Sequence, residues 1–164
     1  MSYVRILEFA TPPSQRQGEW YARQGGGAVC IERAREPFTA MSENAARATT
    51  VWSGVRIYQC GSERKGALVF MLKYPVPCEF HDEFDAWFQY EHMPMLLEEP
   101  TWYGCTFYRA LGGSRYAFGA LHNLEPQALT SDARNRSVDT PWWHRLTKHA
   151  WFDKEFVRAR LTQM

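Results

Sequence analysis

The segment GALVFMLKYPVPCEFHDEFDAWFQYEHMP, residues 66–94, changes its hydrophobic period halfway along, and that change decides the fold class. Its first part, GALVFMLKYP (66–75), is a short apolar run of strand formers closed by proline. Leu68, Phe70 and Leu72 alternate with Ala67, Val69 and Met71, so both faces of this strand are apolar and both need cover. From residue 79 the period turns helical. Phe80, Phe84, Trp87, Phe88 and Glu91 share one side, while His81, Asp82, Glu83, Asp85 and Gln89 occupy the other. The spacing predicts an amphipathic helix over 79–93. Pro94, which removes a backbone donor and restricts Met93, ends or kinks it, leaving one further short turn in PMLLEEP.

Downstream, WYGCTFYRA (102–110) and RYAFGALHNL (115–124) flank LGGS and predict a hairpin. LTSDARNRSVDTPWWHRLTKHAWF then carries a second helical signal. Asp139 or Thr140 suits the N-cap, Pro141 the first helical position, and Trp142, Trp143, Leu146 and Ala150 the apolar face. In the closing run KEFVRARLT, Phe156, Arg158 and Arg160 alternate with Val157, Ala159 and Leu161 as in a strand with one buried face. Residues 66–164 therefore spell β-α-β-β-α-β. This is the ferredoxin-like α+β order, with both helices on one face of a four-stranded antiparallel sheet. The helix-free face still needs cover, and a second copy of the sheet is the economical candidate.

Residues 1–65 form either a partial ferredoxin-like repeat or an N-terminal extension that packs on the barrel. In the repeat reading YVRILEFA (3–10) is a strand, SQRQGEWYARQ and the residues after it stand where a helix would, and SGVRIYQC (53–60) is the closing strand. EPFTAMSENAARATT (36–50) is a surface helix or loop. GGG at 25–27 is a turn, because it lacks the strand, helix and Lys-Ser/Thr context of a phosphate cradle.

Composition narrows the function classes. Hydrophobic residues make up 45% of the 164 and aromatics 15%, enough to build a true core from one domain of ordinary size. A net charge of +1 provides no global field for nucleic acid or an anionic membrane. The apolar run ALVFML is far too short to span a bilayer, and the N-terminus lacks the h-region of a signal peptide, so a soluble cytoplasmic protein is expected. The cysteines at 30, 60, 78 and 105 match neither a zinc site nor a disulfide scaffold and read as free buried thiols. HExxH, GxSxG and Walker patterns are all missing from the sequence.

Two segments, EFDAWFQYEHMPMLLEEPTWYGCTFYRA (83–110) and RYAFGALHNLEPQALTSDARNRSVDTPWWHR (115–145), resemble the dimeric α/β-barrel superfamily of ferredoxin-like domains, and within it the EthD-like and related proteins. The resemblance covers about 80 residues and implies a sheet-to-sheet homodimer or pseudo-dimer, with a pocket between sheet and helices. It also implies a range of activities: cofactor-independent monooxygenases acting on polyketide quinols, muconolactone isomerases, aldoxime dehydratases, haem-degrading enzymes, chlorite dismutases and dye-decolorising peroxidases, beside stress-responsive proteins. No resident metal or cofactor is expected, with haem the alternative through a single histidine.

His92 is the first candidate for chemistry, as a general acid/base oriented by Glu91 or a tyrosine; a helix C-terminus favours its charged form, and helix capping is the competing role. Trp87, Tyr90, Tyr103, Tyr108, Arg109 and Trp143 are the candidate substrate contacts, with core packing the competing role for the tryptophans and an ion pair with Glu91 the competing role for Arg109. The residues thus support three readings: an enzyme acting on a hydrophobic, aromatic or polyketide-like molecule, a non-catalytic dimeric binding or stress-related protein, and a haem protein.

Overall fold

A computed structural model describes residues 1–14, 16 and 18–164. The elements run β1 (Tyr3–Phe9), β2 (Glu19–Arg23), β3 (Ala28–Ala34), α1 (Glu43–Arg47), β4 (Thr50–Gly61) and β5 (Leu68–Tyr74) in the first part of the chain. The second part comprises α2 (His81–Trp87), a π-helical turn (Phe88–His92), α3 (Met93–Leu96), β6 (Trp102–Ala110), β7 (Phe118–Leu124), α4 (Asp132–Arg136), α5 (Pro141–Leu146) and β8 (Val157–Gln163).

The eight strands close into one antiparallel barrel in the order β1-β3-β2-β8-β5-β7-β6-β4. Within it β8-β5-β7-β6 has the fourth-first-third-second order of a ferredoxin-like sheet, as the β-α-β-β-α-β reading requires. The strands of the first 61 residues run in the same sense, β4-β1-β3-β2, with only the five-residue α1 as a helix among their described residues. In the stretch 14–24, expected to stand in for a helix, residues 15 and 17 lie outside the described residues, and 19–23 form β2 instead. That strand pairs with β3 through Tyr21↔Val29 across the GGG turn. Gly25, Gly26 and Gly27 all have positive φ, the conformation that glycine adopts without a Cβ clash.

Barrel closure answers the question of what covers the helix-free face. Val69 and Met71 of β5 point inward and pack with Val4, Ile6, Val29, Ile31, Trp52, Leu121, Ala159 and Leu161, so the opposing sheet is supplied by the chain's own β1–β4. Of the two candidates for that cover, a second copy of the sheet and the N-terminal residues, the fold uses the N-terminal strands. Ala159 and Leu161 are buried while Arg158 and Arg160 are exposed, the alternation anticipated for the closing strand. A buried ion pair between Lys73 and Glu8, joined by Arg23, links β5 to β1.

The other face of β5, with Leu68, Leu72 and Tyr74, meets α2, α3 and the 126–156 segment in a core dominated by aromatic rings. Phe84, fully buried, is central to it, with its ring against Tyr74 at 5.0 Å, Trp87 at 5.4 Å and Phe118 at 5.5 Å. The outer face of the N-terminal strands is closed by a smaller cluster of Leu7, Phe9, Trp20, Ala28 and Cys30 with Ala45 of α1. Cys30 and Cys105 are buried, whereas Cys60 is half-buried and Cys78 exposed, so the expectation of uniformly buried thiols is corrected.

The helix predicted over 79–93 forms but does not stop at Pro94. It widens into the π-helical turn, then resumes as α3 through Pro94 to Leu96. Proline lacks the N–H that an α-turn would require, and the inserted residue lets Met93 N–H reach back to the Phe88 carbonyl. Thr140 is the N-cap of α5, its Oγ1 accepting from Trp143 N–H at 3.0 Å, and Pro141 opens the helix as anticipated. That helix ends at Leu146, well before Ala150. α4 is a separate turn capped by Ser131.

Candidate functional site

A narrow cavity of about 30 Å³ lies between the ferredoxin-like sheet and its helices. Phe70, Leu72 and Tyr74 of β5, Trp102 of β6 and His122 of β7 form its floor. Trp87, His92, Leu96, Arg134, Val138 and Trp143 come from the helical side, and Phe156 and Arg158 close one end. The volume holds a water or two and no organic ligand with the side chains as they stand.

His92 sits inside this cleft because of the π-helical turn. The extra residue shifts the register, so that His92 takes the inward position that α-helical spacing assigns to Glu91. Its ring stacks on Trp87, centroids 4.5 Å apart at 28°, and lies 6.4 Å from Trp143, which is itself 5.8 Å from Trp87. Its Nδ1 faces the Ser137 carbonyl at 3.4 Å, so Nδ1–H donates and Nε2 carries the lone pair. Burial lowers the His92 pKa to about 3, ahead of the effects of the Ser137 carbonyl and Arg134, and the ring is neutral at physiological pH. The expectation that a helix C-terminus favours the charged form is thereby corrected: the helix continues past His92, and desolvation outweighs its dipole.

His122, which has no partner in sequence, has two in the fold. Trp102 Nε1–H donates to Nδ1 at 3.2 Å, and Nε2 lies 3.9 Å from Cys105 Sγ. Burial lowers its pKa to about 3 as well, with the neighbouring His92 the second cause. Phe88 stands between the two imidazoles, 5.9 Å from His92 and 6.2 Å from His122.

Of the anticipated contacts, the fold gathers His92, Trp87 and Trp143 around the cleft. Glu91 does not orient His92: its carboxylate accepts from Thr140 Oγ1 at 2.5 Å and ties the π-helical turn to the cap of α5. Tyr90 is 78% exposed and outside the cleft. Tyr103 bonds Glu125 at 3.1 Å under the Arg64 guanidinium, after a bulge in β6. Tyr108 points into the barrel, where Arg33 donates to its hydroxyl at 2.8 Å. Arg109 lies exposed over the edge of Phe118, and no Glu91 pairing forms.

Sequence reasoning missed Tyr74, His122, Arg134 and Arg158. Tyr74 ends a strand whose apolar run masks it, and Arg134 sits in a short polar helix with no distinguishing motif. Among the described residues no cluster of histidine, cysteine and carboxylate side chains has metal-holding geometry. Among the described residues no helix is long and apolar enough to cross a membrane.

These features define a ferredoxin-like α+β protein whose sheet is completed to a barrel and whose cleft is walled by aromatic rings. The whole chain superimposes on solved structures of that architecture. A crystallised anthrone oxidase-like protein matches with TM-score 0.64 and 12% identity over 99% of this chain and 90% of its own. A ferredoxin-fold protein of Listeria monocytogenes related to antibiotic biosynthesis monooxygenases matches with TM-score 0.63 and 10% identity, over 100% and 95%. A major regulator of staphylococcal pathogenesis matches equally well, with TM-score 0.64 and 8% identity over 99% of each chain. Identities this low establish the fold and leave function to the site. No family model matches the chain, and no curated protein matches it in sequence.

Proposed function

We propose that the chain binds a small aromatic or polyketide-like molecule in the sheet–helix cleft and carries out a metal-free oxygenation, isomerisation or elimination that begins with proton transfer to His92. The observation that carries this reading is the Trp87–His92–Trp143 cluster, which sets a neutral imidazole beside two indoles at a cavity. Indole and phenyl walls suit a flat apolar body, and an Nε2 lone pair is the acceptor a phenol or enol proton requires. With a pKa of about 3, His92 is a weak base in the empty cleft. A substrate proton moves to it only as the resulting oxyanion, held alongside, stabilises the imidazolium. The likeness to anthrone oxidase-like and antibiotic biosynthesis monooxygenase-related structures supports this choice of substrate class. The finer placement among EthD-like proteins rests on the motifs at 83–110 and 115–145.

Ligand entry requires the helical side to yield. Trp143, partly buried on the six-residue α5 and packed on Phe152 and Trp87, is the wall that we assign to move outward. Our reading includes no haem, because the cavity of about 30 Å³ is far too small for a porphyrin as the side chains stand. The same small volume favours a second reading, a binding protein without turnover.

Oxygen uptake with an anthrone or a naphthoquinol, alongside tryptophan-fluorescence titration, tests the proposal. His92→Phe is expected to keep binding within about threefold and to abolish turnover. Binding without turnover in the wild-type protein establishes the second reading, and failure to bind any aromatic overturns both. A Soret band after haem titration overturns the assignment of no haem.

A further inference from the structure

We propose that the polar wall of this cleft is an oxyanion subsite, so that the ligand carries a carboxylate, phenolate or enolate oxygen on its aromatic body. The inference rests on the cleft being a ligand site and specifies what that site selects.

Three residues that line the same cavity carry donors without partners among the described residues. Trp87 Nε1–H is buried and has no hydrogen-bond partner among the described residues. Trp142 and Trp151 also have unpartnered indole N–H groups, but neither lines the cleft. The Tyr74 hydroxyl, on a side chain 2% exposed, makes no hydrogen bond among the described residues. The Arg134 guanidinium, half-buried, makes neither a hydrogen bond nor an ion pair among them.

Arg134 differs from its neighbours in this. Arg136 bonds Glu98 at 2.5 Å, Arg145 bonds Glu83 at 2.7 Å, and Arg158 is held by Asp153. Its backbone is firmly placed: its N–H donates to Ser131 Oγ at 3.2 Å, and its carbonyl accepts from Ser137 Oγ at 2.8 Å. Among the described residues no carboxylate side chain lines the cavity, while Arg134 and Arg158 do. Asp153 is ion-paired with Arg158 and acts on Arg134 only at longer range, so the Arg134 guanidinium stands beside two neutral imidazoles with no ion-pair partner among the described residues. Leaving a partly desolvated guanidinium and a buried indole N–H unpaired is unfavourable, and one anionic oxygen group satisfies both. Burial also lowers the Arg134 pKa, followed by repulsion from Arg158, with Asp153 and Tyr74 acting in the opposite direction.

The test uses two probes of the same shape, 2-naphthoate and 2-naphthamide, titrated against the intact protein at neutral pH by tryptophan fluorescence. The carboxylate is expected to bind at least about tenfold more tightly than the amide. Arg134→Gln should weaken the carboxylate roughly 10–100-fold and leave the amide unchanged. The Arg134 guanidinium makes no hydrogen bond or ion pair among the described residues, so the melting temperature should hold, and Tyr74→Phe gives a second variant expected to lose carboxylate affinity selectively. Equal binding of the two probes, or an Arg134→Gln variant that keeps the preference, overturns the oxyanion subsite while leaving the aromatic cleft intact. Failure of both probes overturns the cleft reading and this inference with it.

Discussion

Trp87 and His92 stack face to face with ring centroids 4.5 Å apart, although five residues separate them in sequence. In a regular α-helix five residues place two side chains about 140° apart around the axis, on different faces. The π-helical turn over Phe88–His92 removes that offset and turns the imidazole inward, while Glu91 faces Thr140. The same turn accommodates Pro94, so one local device both continues the helix and builds the cleft.

Acid should destabilise the protein through its buried histidines. The pKa values of His92 and His122, each near 3 in the fold, lie below the ordinary 6.5, so between pH 6.5 and 3 the unfolded chain binds more protons than the folded one. Their contribution is fully present above pH 6.5 and declines as pH falls through that window, by about 1.4 kcal/mol per pH unit for each histidine. Urea unfolding at pH 7, 5.5 and 4.5 reads this slope. His92→Phe, which keeps the ring stack, should reduce the slope by about half; an unchanged slope would show that His92 is not buried neutral.

Thr140 joins two helical segments through a single hydroxyl, accepting from Trp143 N–H at 3.0 Å and donating to Glu91 at 2.5 Å. Thr140→Val should cost roughly 1–2 kcal/mol, and Thr140→Ser should retain most of the stability. Thermal melts of the two variants compare them directly, and equal melting temperatures would deny the hydroxyl this role.

Trp52 fills the barrel against two glycines, its indole fixed by an Nε1–H bond to the Tyr116 carbonyl at 2.9 Å. A Cβ at Gly119 would lie 2.7 Å from Trp52 Cη2, and one at Gly54 would lie 2.6 Å from the same atom. Gly119→Ala is expected to destabilise by roughly 1–3 kcal/mol and to change the near-UV circular dichroism. Gly113→Ala, in the open hairpin loop with nothing within 4 Å, serves as the neutral control.

Because β1–β4 complete the barrel, the apolar inner face of β5 needs no partner sheet. Sedimentation velocity at micromolar concentration should therefore find a species near 19.1 kDa. A species of twice that mass would require an interface elsewhere on the surface.

The local periods of the chain determined a good deal by themselves. Alternation in β5, β6 and β8, the Gly-Gly hairpin, the Thr140-Pro141 helix start and the aromatic seam of α2 were legible because each depends on residues within one or two turns of one another. The ferredoxin-like order came from their succession along the chain. Closure of the barrel was not legible: β2 is five residues long beside a glycine turn, and its pairing with β8 joins positions about 140 residues apart. The cleft was legible only in part. Trp87, His92 and Trp143 lie on helical segments whose patterns were read, but the direction of His92 depends on a one-residue π insertion that no periodicity records. Tyr74, His122 and Arg134 come from three separate elements, and only tertiary packing brings their side chains to one cavity, because burial and the pairing of polar groups are properties of the folded neighbourhood.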